Sequence, residues 1–332
     1  MPIRSAADGV SVREPMRKRL LWLIAPLLLA FASACSASGP AVSPTPAVPT
    51  PVPATSSPAL PLGDDLTLAE AAGTVLLGLS VRPARPGPNT LLVYLLPLDG
   101  PAGAASIPLT LQVDGRPVDL DTCSRTCRSA SLSLHGGEHL ALTAAGPDGG
   151  TARFDLPSLP APDGTALLDQ VQARMHALGS YRIDETLGPA APPLRATYTV
   201  QTPDRLRIDF ADGASSIWIG TTRYRRAAAA AGDWQAESTG TSLPLPSFAW
   251  DLPTPGSAYV GVHVIGTEMI DGVPTQVLAF FWSTGQTAAW FRLWVDASGL
   301  VHQASMRAQG HFMEHHYTAF DAPLHVDPPA PS

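Results

Sequence analysis

Short alternating or apolar stretches, separated by turn-forming residues, recur along most of this 332-residue chain and constrain it to a mainly β fold. Six of these stretches lie in the first half, at residues 74–81, 90–96, 107–113, 130–134, 139–144 and 152–156. Turn sequences such as Asp114-Gly115 and Gly136-Gly137 separate them. Strands of this length at this spacing predict an Ig-like β-sandwich over residues 66–157.

A different pattern opens the second half, which we assign to residues 165–327. Leu167, Val171, Met175 and Leu178 recur at helical spacing, and Gly179 is placed to end the helix. Strand-like stretches follow at residues 205–210, 217–219, 222–226, 260–268, 273–282, 290–295, 300–307 and 312–320, with hairpin turns at 271–272 and 297–299. One helix followed by a long antiparallel meander predicts an open half-barrel whose apolar face the helix covers.

Residues 16–35 have the features of an export signal. Arg17, Lys18 and Arg19 precede an apolar run over residues 20–31, and small residues then lead to Cys35. The run is shorter than the roughly 20 apolar residues of a membrane span. We expect Met16 to begin the signal, so that residues 1–35 comprise upstream residues and a signal peptide.

This segment resembles a bacterial lipoprotein signal, in which the cysteine becomes the lipidated first residue of the mature protein. The resemblance implies lipidation of Cys35 and a membrane anchor on the extracytoplasmic face. Ala32 departs from the pattern, because such signals most often have leucine three residues before the cysteine. Ala32 and Ala34 also suit an ordinary signal peptidase, so a secreted product is the alternative, and an uncleaved anchor is a third.

The other two cysteines, Cys123 and Cys127, are close in sequence. In an oxidising exterior they are expected to form a disulfide, which leaves Cys35 as the lone thiol that lipidation would remove. Their spacing also occurs at copper sites of exported metallochaperones, since thiolates suit Cu(I). We favour the disulfide, because no βαβ pattern surrounds the pair.

Composition identifies the segments that flank the folded parts and limits the classes of partner. Residues 36–65 are rich in Pro, Ser and Ala and predict an extended stalk, while residues 158–164 form a shorter linker. The first 35 residues hold five of the 21 basic and two of the 28 acidic residues, so the rest has a formal net charge of −10. No long basic stripe is present, which argues against nucleic acid as a partner.

Two further resemblances concern the folded parts. Residues 70–157 look like YtkA/CopC-like domains of exported copper-handling proteins, in the segments 79–83, 87–93 and 149–157. That resemblance implies the immunoglobulin-type fold. The copper site of CopC-type domains is not carried over, because it uses a histidine at the mature N-terminus, where this chain has Cys35.

Residues 165–327 resemble the LolA/LppX-type lipoprotein carriers, through the leading helix and the segments 181–183, 202–208, 217–220 and 290–299, with Tyr224. The resemblance implies an apolar hollow that holds acyl chains or lipoproteins. Trp218, Trp290 and Trp294 are the candidates to line it.

A histidine-rich cluster near the C-terminus supports a second hypothesis. On a strand, His311, Met313 and His315 share one face, and imidazole and thioether groups both accept copper. The competing interpretation places Phe312 and Tyr317 in the core and the histidines at a solvent edge.

Taken together, these patterns predict an exported, lipid-anchored, non-enzymatic binding protein that requires no cofactor and holds a lipid, a lipoprotein or another apolar ligand. The chain has no G-x-S-x-G, H-E-x-x-H, P-loop or dinucleotide motif. A copper-binding or copper-resistance accessory protein of the cell envelope is the alternative function, and a structural or sensory module is the third.

Overall fold

The computed structural model describes residues 60–97, 104, 107–147, 149–188, 192–228, 233–245, 247–251, 258–283 and 288–330. All of them belong to one compact unit, Ala54–Ser332, which contains both predicted domains. The separate limits of those domains stay a prediction. The predicted signal, Cys35 and residues 36–59 of the predicted stalk lie outside the described residues.

Nine strands form the N-terminal part: β1 (Leu66–Ala72), β2 (Val75–Arg82), β3 (Gly87–Pro97), β4 (Leu109–Val113), β5 (Arg116–Val118), β6 (Asp121–Ser124), β7 (Cys127–Leu134), β8 (His139–Ala144) and β9 (Thr151–Asp155). They make two antiparallel sheets, ordered β1-β2-β3-β7-β6 and β5-β4-β8-β9. Leu79 and Leu91 from the first sheet share one core with Leu142 and Phe154 from the second. This part is therefore a β-sandwich, as the sequence predicts.

The C-terminal part contains α1 (Thr165–His176) and eleven strands: β10 (Ser180–Leu187), β11 (Leu194–Gln201), β12 (Arg205–Phe210), β13 (Ser215–Ile219), β14 (Thr222–Arg226), β15 (Gln235–Ser238), β16 (Ala258–Ile270), β17 (Val273–Ser283), β18 (Ala288–Val295), β19 (Val301–Ala308) and β20 (His311–Thr318). The strands form one antiparallel sheet, ordered β15-β14-β13-β12-β11-β10-β20-β19-β18-β17-β16. The sheet is not closed into a barrel. The predicted mainly β fold class is confirmed.

This large sheet consists of two meanders joined at one seam. The first runs from β10 to β15 and the second from β16 to β20, and β10 pairs with β20 between them. The pairing brings Ile183 opposite Tyr317, Glu185 opposite His315 and Leu187 opposite Met313.

The helix α1 packs against one face of the sheet, which we call the inner face. Leu168, Val171 and Met175 are the buried residues of α1. The helix begins at Thr165, after Gly164 at the N-cap position, and the carboxylate of Asp163 accepts hydrogen bonds from the backbone N–H and the hydroxyl of Thr165 at 2.9 and 2.7 Å. The helix ends at His176, and the N–H of Gly179, the predicted cap, donates instead to Asp321.

The N-terminal sandwich covers part of the opposite, outer face of the large sheet. The ring of Trp290 on β18 lies between Tyr94 and Phe281, with centroid separations of 5.9 and 4.9 Å. Arg292 of the same strand pairs with Glu70 of β1 at 2.7 Å. Among the described residues, no helix has the combined length and apolar character that crossing a bilayer requires.

Candidate ligand-binding face

The strand register arranges the inner face in rows of side chains. Residues directly opposite each other in antiparallel strands point to the same side of the sheet. One row is apolar across six strands and consists of Phe280, Phe291, Met306, Met313, Leu187 and Leu194. Phe280 at one end is fully buried, whereas Leu194 at the other end is 50% exposed. The row therefore leads from the packed core to the protein surface.

The neighbouring row carries a polar pair at its centre. It runs through Leu278, Leu293, Ala304, His315, Glu185, Ala196 and Phe210. Nε2 of His315 lies 2.8 Å from one carboxylate oxygen of Glu185, and the hydroxyl of Tyr198 donates to the other oxygen at 2.8 Å. Nδ1 of His315 lies 3.0 Å from the hydroxyl of Tyr317. The four side chains form one connected network.

Glu185 stays ionised at neutral pH in this network. Burial alone would raise the pKa of Glu185, but hydrogen bonds from His315 and Tyr198 lower it below its ordinary value. Burial, together with the Glu185 charge, raises the pKa of Tyr198, so its hydroxyl keeps the proton that it donates. The network thus places a carboxylate beneath an otherwise apolar surface.

Two further rows extend the face toward β14. One contains Tyr317, Ile183, Tyr198, Ile208, Ser216 and Arg225, and the other contains Tyr181, Val200, Leu206, Trp218 and Arg223. Val200 and Leu206 are buried, while Ile208 and Trp218 are only partly buried.

Beyond the helix, β10–β13 present partly or largely exposed apolar side chains, which we call the open section: Leu187, Leu194, Tyr198, Ile208, Phe210 and Trp218. The other half of the inner face is covered by α1 and by residues 247–251, which we call the strap. Phe248 of the strap stacks on Trp250 at 5.0 Å and contacts Tyr181 at 5.4 Å. Asp251 holds the strap to α1 through His176 and through Gln172 at 3.1 Å.

The structure separates the three predicted tryptophans. Trp218 lies on the inner face at the open section. Trp290 lies on the outer face, in the contact with the sandwich, and Trp294, four residues on, lies on that same face. The indole N–H of Trp294 donates to Glu268 at 2.8 Å. Phe291 and Leu293, which alternate with the tryptophans along that strand, lie on its inner face.

His311, Met313 and His315, the predicted copper ligands, share one face of β20, as their alternation implies. They differ in burial and in the hydrogen bonds that they make. Both ring nitrogens of His315 are engaged by Glu185 and Tyr317. Met313 is buried and His311 is exposed. Within the described ranges, no group of three or more His, Cys, Asp or Glu side chains is arranged to hold a metal ion.

Cys123 and Cys127 are joined in a disulfide, with their Cα atoms 5.2 Å apart. The bond links β6 to the first residue of β7 and so closes a short hairpin at the edge of the sandwich. Cys35, the predicted lipidation site, lies outside the described residues.

No family model matches the chain, and no curated protein matches it. Solved structures resemble about half of it: lipoprotein LppX of Mycobacterium tuberculosis (14% identity, 49% of this chain and 97% of that one, TM-score 0.34) and LprF of Mycobacterium bovis (12%, 52% and 100%, TM-score 0.36). A LolA superfamily protein of Nitrosomonas europaea is similar at 10% identity, over 51% of this chain and 96% of its own, with TM-score 0.23. None of these findings supports the YtkA/CopC likeness of residues 70–157.

Proposed function

We propose that this protein is a non-enzymatic binding protein whose open section holds an apolar ligand, such as an acyl chain of a lipid or lipoprotein. The observation that carries the proposal is the continuous apolar surface from the covered core to the open section. Ile208 and Trp218 contact the core cluster and yet remain partly exposed, and Leu194 is half exposed. Contiguous exposed apolar surface of this kind marks ligand-binding grooves and interaction sites.

The dimensions of the open section suit a hydrocarbon chain. Three inter-strand spacings separate β10 from β13, which corresponds to about 14 Å of surface. Each CH₂ group moved from water onto such a surface contributes about 0.8 kcal/mol. A chain lying across the open section would therefore bind without any directional contact, by the hydrophobic effect alone.

The proposal includes a location. With a lipid on Cys35, the part of the predicted stalk before residue 60 would hold the binding face outside the cytoplasmic membrane, within reach of membrane lipids. A single acyl chain binds a bilayer only marginally, so a stable anchor requires more than one. An ordinary signal peptidase cut, giving a secreted protein, is the alternative location.

The test uses the exported full-length chain and N-phenyl-1-naphthylamine, a neutral apolar dye whose fluorescence rises on binding. We expect saturable binding that Ile208→Gln weakens about tenfold, because it replaces apolar contact at the open section with an amide. Ile219→Gln is the matched control, since Ile219 is also partly buried but pairs with Arg205 and Thr222 on the outer face.

Equal effects of the two substitutions, or no saturable dye binding, would contradict the proposal. Mass spectrometry of the same preparation provides a second readout, in which co-purified lipid is expected. It also measures the mass of the N-terminal peptide. An unmodified Cys35 in the membrane fraction would contradict the proposed lipid anchor but not the proposed ligand binding.

A further inference from the structure

Two arginines and a serine border the open section at its β13–β14 end. Arg223 lies opposite Trp218 and Arg225 opposite Ser216, so the register directs both arginines to the inner face. The guanidinium of Arg223 lies over the Trp218 ring, 5.4 Å from its centroid. Arg226, the third arginine of this strand, points to the outer face and donates to Ser215. The inner face thus ends in a cationic and aromatic border, which we call the basic rim.

The two guanidinium groups of the basic rim have more N–H donors than the neighbouring acceptor groups use. Glu237 of β15 is its acidic partner: it pairs with Arg225 and lies 4.0 Å from Arg223. Two cations and one carboxylate leave one unit of positive charge. The side chain of Arg223 is 32% exposed, and its guanidinium has more N–H donors than Ser216 and Glu237 use.

Ser216 adds a hydroxyl to the same border. Ser216 is buried, with 6% of its surface exposed. Its Oγ accepts hydrogen bonds from the Trp218 indole at 2.9 Å and from Arg223 at 3.4 Å. An oxygen that accepts two hydrogen bonds keeps its own O–H as a donor. Arg223, Arg225 and Ser216 therefore present N–H and O–H groups beside the apolar side chains of Ile208 and Trp218.

Electrostatics favours an anion here. Burial and repulsion from the nearby Arg225 lower the pKa of Arg223, and the Glu237 carboxylate opposes this shift. An anion near both guanidinium groups would relieve that repulsion. Planar guanidinium groups also bind phosphate oxygens through paired, charge-assisted hydrogen bonds, more strongly than neutral donors do.

We propose, building on the proposed function, that the basic rim binds the phosphate-type head group of an anionic amphiphile whose chain lies along the open section. Head and chain sites are contiguous, because Ser216 and Ile208 are directly paired across β13 and β12. The ligand class is thereby narrowed from apolar molecules in general to single- or multi-chain lipids with an anionic phosphate head.

The experiment displaces N-phenyl-1-naphthylamine from the exported full-length chain with three probes of equal chain length: dodecyl phosphate, dodecanol and dodecyltrimethylammonium. All are used below the concentration at which they form micelles. We expect dodecyl phosphate to bind ten- to a hundredfold more tightly than dodecanol, and dodecyltrimethylammonium to bind least tightly. The advantage of the phosphate should decrease as salt is added.

Two substitutions of opposite sign test the assignment. Arg223→Gln is expected to reduce the ratio of dodecyl phosphate to dodecanol affinity at least fivefold, whereas Glu237→Gln should increase it, because the competing carboxylate is removed. A purely structural role of the ion pairs would lower the ratio in both variants. Arg207→Gln is the control, since Arg207 pairs with Asp209 on the outer face at 2.7 Å; it should leave the ratio unchanged.

The outcomes separate the two proposals. If the dye does not bind, or binds without dependence on Ile208, the proposed function fails. If the dye binds as expected but dodecyl phosphate has no advantage over dodecanol, the head-group assignment alone fails. Inorganic phosphate that binds the rim as tightly as dodecyl phosphate would show a free-phosphate site and overturn the amphiphile.

Discussion

Gly78 shows how a single residue lets the two parts of the molecule approach each other. It lies in the middle of β2, on the side of the sandwich that faces the large sheet, and the Trp290 ring packs directly over it. A Cβ atom at this position would lie 2.4 Å from Cζ2 of Trp290, well inside contact distance. Trp290 is 97% buried, with 3% exposed, so its ring has little room to move away.

Gly78→Ala is therefore expected to lower the free energy of unfolding by about 1–3 kcal/mol through overpacking. Urea denaturation followed by tryptophan fluorescence measures the change. Gly266→Ala is the matched control, because it also lies in a strand but has no atom within 4 Å of its Cβ position. That variant should be unchanged or more stable by about 0.5–1 kcal/mol, and equal losses in both variants would refute the close-packing explanation.

The pairing of β10 with β20 is the element on which the inner face depends. It joins residues 130 positions apart in sequence, such as Glu185 and His315, and it unites the two meanders in one sheet. The side chains of Glu185 and His315 are only 11% and 9% exposed. Burying two polar groups is unfavourable unless both are bonded, so their mutual hydrogen bond also specifies the register of the seam.

We expect Glu185→Gln to lower the free energy of unfolding at pH 7 by about 2–4 kcal/mol, because it leaves His315 without a charged partner. A double-mutant cycle with His315→Gln should show non-additivity of about 1–3 kcal/mol. Glu237→Gln, whose carboxylate side chain is 47% exposed, should change stability by less than about 1 kcal/mol. Additive effects of Glu185→Gln and His315→Gln would show that the seam pair is not coupled.

The same pair sets a pH dependence. The pKa of Glu185 in the folded protein lies below its ordinary value, with His315, Tyr198 and His311 as the groups that act on it. Its contribution is therefore complete above the unfolded pKa of about 4.3 and is lost as the pH falls through the lower, folded pKa. Unfolding measured between pH 7 and pH 3 should show the difference between the native protein and Glu185→Gln narrowing only below about pH 4.5.

Periodicity predicted most strands but not the faces that they present. Clear alternation predicts the strand Arg205–Phe210 correctly, whereas the sequence pattern does not predict Leu66–Ala72 or Ser180–Leu187 as separate strands. In β18 both faces are buried, one by α1 and one by the sandwich, so apolar character does not distinguish Trp290 from Phe291. Only the register between distant strands reveals the rows, and with them the contact of Glu185 and His315.

Within the compact unit Ala54–Ser332, the sandwich and the large sheet are held together by an apolar contact. Leu76, Leu92 and Tyr94 of the sandwich pack with Phe281, Trp290 and Phe312 of the large sheet in one cluster. Separation of the two parts would expose this surface to water, and at about 25 cal/mol per Å² of apolar area such exposure is strongly unfavourable. The sandwich thus acts as a cover for the outer face, while α1 and the strap cover half of the inner face.

Because of this contact, we expect the two parts to unfold in a single transition. Past residue 35 all tryptophans lie in the C-terminal part, so their fluorescence reports on the large sheet, whereas amide hydrogen exchange in β2 and β3 reports on the sandwich. Both should give the same urea midpoint.

Trp290→Ala should lower the free energy of unfolding by about 3–5 kcal/mol and separate the midpoints, since it removes the central ring of the contact. Trp234→Ala, which removes a partly buried ring stacked with Arg226 far along the sheet, should keep the midpoints coincident. Different midpoints in the unsubstituted protein would mean that each part is stable without the other, and that the apolar cluster joins two independent folding units.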